Sequence, residues 1–178
     1  MKLQTLPGDI WTGVYAQIDL KNATVLIKDG TATPNSIAVK IGTGNCTYSE
    51  RRNIEYTLDR GILDEVREGD QVPVELRFDF VWEYIISASG GTVTVEDALK
   101  QQGEAAAWTS SDADACRPYA VDVQIEYIPE CTGDSEEIAF ADFRYEQLDH
   151  DLRNGSVACS GKCNILQPTI TRGTISTG

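Results

Sequence analysis

The feature that most constrains the fold is a regular alternation of side chains along residues 74–83. Apolar side chains occupy every even position from Val74 to Trp82, and charged residues occupy most of the odd ones. Successive side chains of a β-strand point to opposite faces, so a period of two predicts a strand with one buried face. The fold must therefore contain a sheet that covers a core.

Similar patterns predict more strands along the chain. The run 119–128 alternates in the same way, and β-branched residues on either side of Asp29-Gly30 and Pro34-Asn35 predict an early strand pair. A change of apolar register near Ala141 indicates a β-bulge. The additional predicted strands are 23–28, 37–41, 53–58, 119–128, 138–145 and 156–165.

Two short helices are also predicted. Residues 62–67 have apolar side chains at helical spacing, and residues 94–101 begin with acidic residues and end before Gly103. Together these patterns predict a mainly β (α+β) fold, an antiparallel β-sandwich or partly closed barrel with one or two short flanking helices. We expect one domain over residues 1–168 and a mobile C-terminal tail over 169–178.

Charge and hydropathy limit the possible functions. The formal net charge of −13 creates a negative field that disfavours phosphate contacts, so specific nucleic-acid binding is not expected. The longest apolar runs are far shorter than the roughly 20 residues of a membrane span, and the N-terminus lacks the apolar core of a secretory signal. We expect a protein made and kept in a cytoplasm, without a membrane partner.

No group of residues predicts an active site. His150 is the only histidine, and on a strand its neighbours Asp149 and Asp151 would point away from it. Asp149, Asp151, Asn154 and Gly155 miss the calcium-loop spacing by one residue, which favours a solvated turn. No glycine-rich nucleotide motif is present, and 28 acids make any carboxylate pair uninformative. The expectation is a non-enzyme without catalytic residues or cofactor.

Five cysteines, an odd number, argue against a secreted disulfide framework. Cys159 and Cys163 would lie about 13 Å apart on one strand, too far for a disulfide. A zinc site formed by Cys116, Cys131, Cys159 and Cys163 remains open, although the paired C-x-x-C spacing is missing. Buried free thiols are the favoured interpretation.

Motifs in order along the chain resemble those of one known family. Residues 53–80 combine Leu58-Asp59-Arg60-Gly61, Gly69-Asp70 and Pro73 before the alternating strand. Further matches follow at Trp108, Cys116-x-Pro118-Tyr119, Phe143-Arg144-Tyr145-Glu146 and Ser160-Gly161-Lys162-Cys163-Asn164. The set spans about two-thirds of the chain and resembles the tail tube proteins of long-tailed bacteriophages.

The resemblance implies a β-sandwich whose copies form six-membered rings. Stacked rings would make a virion tail tube through which DNA passes without specific binding. The partners would be other copies of the chain and other tail proteins, assembled after synthesis in the host bacterial cytoplasm. Loops 42–49 and 87–93 would be arms that become ordered between rings.

In that family a sheet with acidic outward positions lines the channel. Repetition around a ring turns a modest acidic face into a band of negative charge. Arg77 is the one base among the outward positions of the two best strands. The resemblance therefore implies these channel-lining candidates: Glu75, Asp79, Glu83, Asp122 and Glu126.

Other classes of protein remain open. A monomeric acidic β-sandwich could bind a peptide or carbohydrate, and it would stay monomeric at high concentration. A carboxylate hydrolase would need a cleft with converging acids and at least one raised pKa. Another tail or injection-tube component, such as a tail terminator, would share most features of the tail tube protein.

Overall fold

The computed structural model describes residue 18 and residues 20–83, 92–128 and 135–173. Within these residues the chain forms one α-helix and ten strands. The helix α1 is Val95–Lys100. The strands are β1 Ala23–Lys28, β2 Ser36–Val39, β3 Cys46–Ser49, β4 Ile54–Asp59, β5 Ile62–Glu68, β6 Val74–Val81, β7 Val121–Tyr127, β8 Ser135–Asp151, β9 Ser156–Cys163 and β10 Thr169–Gly173.

Eight strands form one antiparallel sheet, in which seven follow the order β2-β1-β7-β8-β9-β6-β3. The 17-residue β8 holds this sheet together. Its first half pairs with β7 on one edge and β10 on the other, and its second half pairs with β9. β4 and β5 form a separate two-stranded sheet.

The main sheet curls over its own inner face. Tyr48 on β3 contacts Phe140 on β8 with ring centroids 5.0 Å apart, although two strands separate β3 from β8 in the sheet. The Val81 N–H also donates to the Lys40 carbonyl over 2.8 Å, which links β6 to the segment after β2. One core therefore lies between the two halves of the sheet, and the sheet does not close into a barrel. The predicted mainly β, antiparallel fold is confirmed.

The predicted bulge in β8 is confirmed at residues 141–142. The pairing shifts there from Val123 with Phe140 to Val121 with Phe143. Asp142 has a φ of 55°, and its N–H donates to the Asp122 carboxylate over 3.0 Å. The extra residue allows both Phe140 and Phe143 to be buried in the core.

The helix predicted at 94–101 is confirmed as α1. The Asp97 N–H donates to the Thr94 side chain over 3.1 Å, which is an N-cap. Val95, Ala98 and Leu99 pack into the core. In the described part of the chain, no helix has the length and apolar character that crossing a membrane requires.

The helix predicted at 62–67 is wrong, because these residues form β5. Arg60 and Gly61 have φ values of 50° and 82°, as in a two-residue hairpin turn. This turn reverses the chain and aligns Val66 with Tyr56 across the strand pair. One or two helical turns provide few internal hydrogen bonds, so pairing with β4 prevails.

Two segments predicted to be mobile contain strands. Residues 46–49 of the predicted arm 42–49 form β3, and residues 169–173 of the predicted tail form β10 along β8. The backbone N–H and C=O groups of each segment form hydrogen bonds with a neighbouring strand. The polar sequences of the two segments do not indicate this pairing. Most of the second predicted arm, 87–93, and residues 174–178 lie outside the described residues.

A buried carboxylate anchors the loop between α1 and β7. Asp112 accepts from the Asp114 N–H over 2.9 Å and from Arg144 Nη2 over 2.6 Å, and Arg117 Nη1 lies 3.3 Å away. The Asp114 backbone hydrogen bond and the two guanidinium groups lower the pKa of Asp112 to about 2. The charged form therefore ties the loop to β8.

We expect acid to weaken the contacts of the Asp112 carboxylate, and the substitution Asp112→Asn tests this expectation. The folded-state pKa lies below the ordinary 3.8, so the carboxylate stabilises the fold above about pH 4, and this contribution is lost as the pH falls towards 2. We expect Asp112→Asn to lower the free energy of unfolding at neutral pH and to reduce its loss on acidification. Urea unfolding at several pH values measures both effects. Asp70→Asn, at an exposed position, is the control. Parallel stability–pH curves for Asp112→Asn and wild type would contradict the prediction.

Candidate functional site

The β4–β5 hairpin extends from the sheet with its two faces chemically different. Residues paired across an antiparallel ladder share a face, and the face alternates at each step. Pairing of Tyr56 with Val66 and of Leu58 with Leu63 places these four residues on the same face as Ile54. We call this set, Ile54, Tyr56, Leu58, Leu63 and Val66, the apolar hairpin face.

The opposite face of the hairpin is polar and charged. Glu55 and Arg67 form an ion pair of 2.8 Å there, and Thr57 pairs with Glu65. Ile62, beside Asp59, is the one large aliphatic side chain on this face. The hairpin is therefore an amphipathic arm.

Little of the described chain covers the apolar hairpin face. Tyr56, Leu58, Leu63 and Val66 are 64%, 61%, 54% and 52% exposed. No other described strand or helix packs extensively on β4 or β5. An isolated two-stranded hairpin is only marginally stable in water, so an uncovered apolar face indicates a missing partner.

The predicted channel-lining acids lie on different parts of the structure. Glu75 and Asp79 share the outer face of β6, and Glu83 follows that strand. Asp122 and Glu126 lie on the outer face of β7, in the other half of the curled sheet. The acids of each strand therefore share one face of that strand, and β8 and β9 lie between the two groups in the sheet.

Most of these acids form ion pairs or hydrogen bonds with nearby residues. Glu83 pairs with Lys40, Glu75 lies 3.9 Å from Arg51, and Glu126 lies 4.0 Å from Lys28. Asp122 accepts the Asp142 N–H at the bulge, as described above. Asp79 accepts the Asn45 N–H over 3.0 Å. Asp122 and Asp79 thus also position backbone, a role that the alternating pattern does not reveal.

A shallow cavity of about 470 Å³ lies at the Val81 end of β6. Its lining includes Asp79, Asp149 and Asp151, and Asp151 accepts backbone N–H groups of the following turn. The predicted solvated turn is found at this position, as residues 152–155. Within the described ranges, no group of three His, Cys, Asp or Glu side chains is arranged to hold a metal ion.

His150 joins the end of β8 to α1. Its Nε2 lies 3.2 Å from Glu96 Oε1. The centroid of its ring lies 4.9 Å from the ring centroid of Trp82, in an edge-on arrangement. Glu96 also pairs with Lys100. The histidine thus occupies a packing position with local partners.

Among the described residues, the structure does not bring the candidate zinc ligands together. Cys159 and Cys163 are buried in the core, whereas Cys116 is exposed in the loop before β7. Cys131 lies outside the described residues. Burial raises the pKa of Cys159 and of Cys163 to about 12, and it raises the pKa of Cys46 to about 11 with a further contribution from Asp79.

These environments predict a clear order of thiol reactivity. The thiolate is the reactive form, so the buried thiols with raised pKa values should react slowly in the native protein. Among the four described cysteines, we expect Cys116 to be alkylated first, and Cys159 and Cys163 to react only after unfolding. Peptide mass spectrometry after timed alkylation measures the order. Fast native labelling of Cys159 would show that the core opens more readily than its packing indicates.

Comparison with family models and with curated proteins finds no match. Among solved structures, the chain is similar to a chain of the anti-feeding prophage baseplate (6-fold symmetrised cryo-EM structure), with 9% identity, a TM-score of 0.37, and coverage of 94% of this chain and 99% of that one. It is also similar to a chain of the phage p2 baseplate in its activated conformation with Sr, with 12% identity and a TM-score of 0.39. That match covers 82% of this chain and 45% of the other. At these scores and identities the likeness does not establish a common fold.

Proposed function

We propose that the protein is a structural subunit that assembles with copies of itself, and that it forms the tail tube of a long-tailed bacteriophage. The observation that carries the proposal is the exposed apolar hairpin face. This hairpin lies within the segment 53–80 that carries most of the sequence resemblance to tail tube proteins. Motif order and an unpartnered arm thus both support an assembling subunit.

The energetics favour burial of this face in an assembly. Fully burying one large apolar side chain contributes about 1.5–3 kcal/mol. Tyr56, Leu58, Leu63 and Val66 each expose more than half of their surface in the single subunit. Since roughly half of each side chain remains to be buried, their combined burial contributes about 3–6 kcal/mol. This gain lies near the lower end of the roughly 4–15 kcal/mol that association costs in lost freedom. A repeated contact between copies can therefore stabilise an ordered assembly.

We also propose that the protein is structural and is not an enzyme. Its one histidine is engaged with Glu96 and Trp82, as described above. Asp29 accepts hydrogen bonds from Asn35 in its own loop, and Asp112 accepts them from Asp114 in its loop and from Arg144 on β8. These polar groups have evident structural roles, which supports a subunit without an active site.

In the assembled tube we propose stacked rings, six copies to a ring, around a negatively lined channel for DNA. The two acidic groups lie in different halves of the sheet, so one of them, Glu75, Asp79 and Glu83 or Asp122 and Glu126, would line the channel. Mutual repulsion between phosphates and this face would let DNA slide without sticking, over a range of about 8 Å at physiological salt. The outer face of the other strand would then face the exterior of the tube or contact a neighbouring subunit.

The test is the assembly state of the purified protein. We would measure its mass in solution over a concentration series and image the same samples by negative-stain electron microscopy. Hollow rings or tubes are the expected result. A stable monomer at every concentration would contradict the proposal and favour the monomeric binding module.

A further inference from the structure

The turn between β8 and β9 carries an exposed apolar side chain that is not part of the hairpin. Leu152 at this turn is 83% exposed, more than any other large hydrophobic residue in the described part of the chain. Asp151 Oδ1 accepts the Arg153 N–H over 2.8 Å and the Asn154 N–H over 3.2 Å. These hydrogen bonds hold the turn in a defined shape, so Leu152 and Arg153 are presented at fixed positions.

The hairpin and the turn lie at opposite ends of the main sheet. The hairpin is connected at the end where Ser49 pairs with Glu75 and where Val74 begins β6. The turn lies at the other end, where Ser156 pairs with both Val81 and Asp151. Seven residue steps along β6 separate the two ends by about 23 Å.

The charges of the two elements are complementary. Arg153 has no carboxylate within ion-pair distance among the described residues, and its head group is free to meet one. On β5, Asp64 follows Leu63 at the irregularity in the strand pairing and forms no ion pair with a base among the described residues. One element therefore offers an apolar residue beside a base, and the other offers an apolar residue beside an acid.

We propose that the β8–β9 turn of one copy docks on the β4–β5 hairpin of a second copy. Leu152 packs on the apolar hairpin face, and Arg153 meets Asp64. The inference rests on the proposed self-assembly and identifies the surface that covers the hairpin. The contact is heterologous, because each copy uses a different patch at each end, so it leaves a free hairpin and a free turn after every addition. Such contacts repeat along an axis and make stacked layers.

Charge exchange tests the pairing. Arg153→Glu should weaken assembly at least tenfold, measured as the protein concentration at which half of the subunits are assembled. Asp64→Lys should weaken assembly in the same way. Combining Arg153→Glu with Asp64→Lys should restore assembly, and this double variant keeps the wild-type net charge of −13. If the double variant does not regain assembly, the proposed contact is wrong.

Cross-linking tests the head-to-tail geometry directly. In a background carrying Cys116→Ser and Cys131→Ser, we would introduce Leu63→Cys in one sample and Leu152→Cys in another. Under mild oxidation, a mixture of the two should form cross-linked dimers, and neither sample alone should form them. Cross-linking of Leu63→Cys with itself would show a symmetric hairpin pair and overturn the inference.

These outcomes separate the contact from the proposed function. If the wild-type protein forms tubes and neither charge exchange nor mixed cross-linking supports the pairing, self-assembly stands and this contact is wrong. If the wild-type protein is monomeric at every concentration, the proposed function fails and the contact fails with it. Tubes, restoration by charge exchange and mixed cross-links together would support both.

Discussion

Replacing Gly161 by alanine is expected to destabilise the folded subunit by about 3 kcal/mol or more. An added Cβ at Gly161 would lie 2.1 Å from the Arg144 carbonyl oxygen and 2.8 Å from the Tyr145 Cα. It would also lie 2.8 Å from Cε2 of the buried Phe143. Two of these neighbours are backbone atoms, which cannot move aside as a flexible side chain can. β9 would have to separate from β8.

The measurement is urea unfolding at a protein concentration where the wild type is monomeric, so that assembly does not contribute to the observed stability. Ser160→Ala is the matched control, because it changes the neighbouring residue of the same strand without adding a Cβ. We expect that control to remain within about 0.5 kcal/mol of wild type. A Gly161→Ala variant of wild-type stability would mean that β8 and β9 pair more loosely than the structure shows.

The large effect follows from the role of β8 in the fold. This strand belongs to both halves of the sheet, and its pairing is irregular near Ala141 and again between Tyr145 and Gln147. Bulges bend a strand and increase its twist, which lets the sheet curl over one core. Gly161 pairs with Tyr145 at the second irregularity. Close approach of the two backbones there requires a residue without a side chain.

The strands with one buried face were the most predictable part of the structure. The alternation along 74–82 and 119–127 indicates which face meets the core. Burial alternates along the whole of β6, and β7 departs from the pattern at Gln124, which is also buried. The bulge near Ala141 was also predictable, because Phe140 and Phe143 cannot both face the core on a regular strand. In each of these segments, burial within the subunit determines the sequence pattern.

The hairpin was harder to interpret because its apolar residues are exposed. Leu63 and Val66 fit a helical spacing, and the bulge between Thr57 and Leu58 breaks the strand alternation of β5. Arg60-Gly61, a two-residue turn after an alternating strand, was the signal that could have revealed β5. The positions of the five candidate acids could not be predicted, since the pattern of one strand gives a face but not the curl that separates β6 from β7.

Removing the apolar hairpin face is expected to weaken assembly more than tenfold while leaving the subunit folded. Leu58→Ser combined with Leu63→Ser deletes a cross-strand pair whose members are 61% and 54% exposed. Loss of about 2 kcal/mol per contact would weaken each contact roughly 30-fold, because 1.4 kcal/mol corresponds to a factor of ten. In an assembly that repeats the contact, this shifts the concentration for half-assembly by more than one order of magnitude.

The matched control is Ile62→Ser, which removes an aliphatic side chain that is 73% exposed on the opposite face of the same hairpin. Light scattering and electron microscopy over a concentration series compare the variants, and circular dichroism verifies that each remains folded. We expect the control to assemble like wild type. Equal loss of assembly in the control would indicate that non-specific hydrophobic association of the hairpin drives assembly. Loss of assembly in the Leu58 and Leu63 variant alone would show that one face of the hairpin is the contact. Such a result would support a contact between this face and a neighbouring copy.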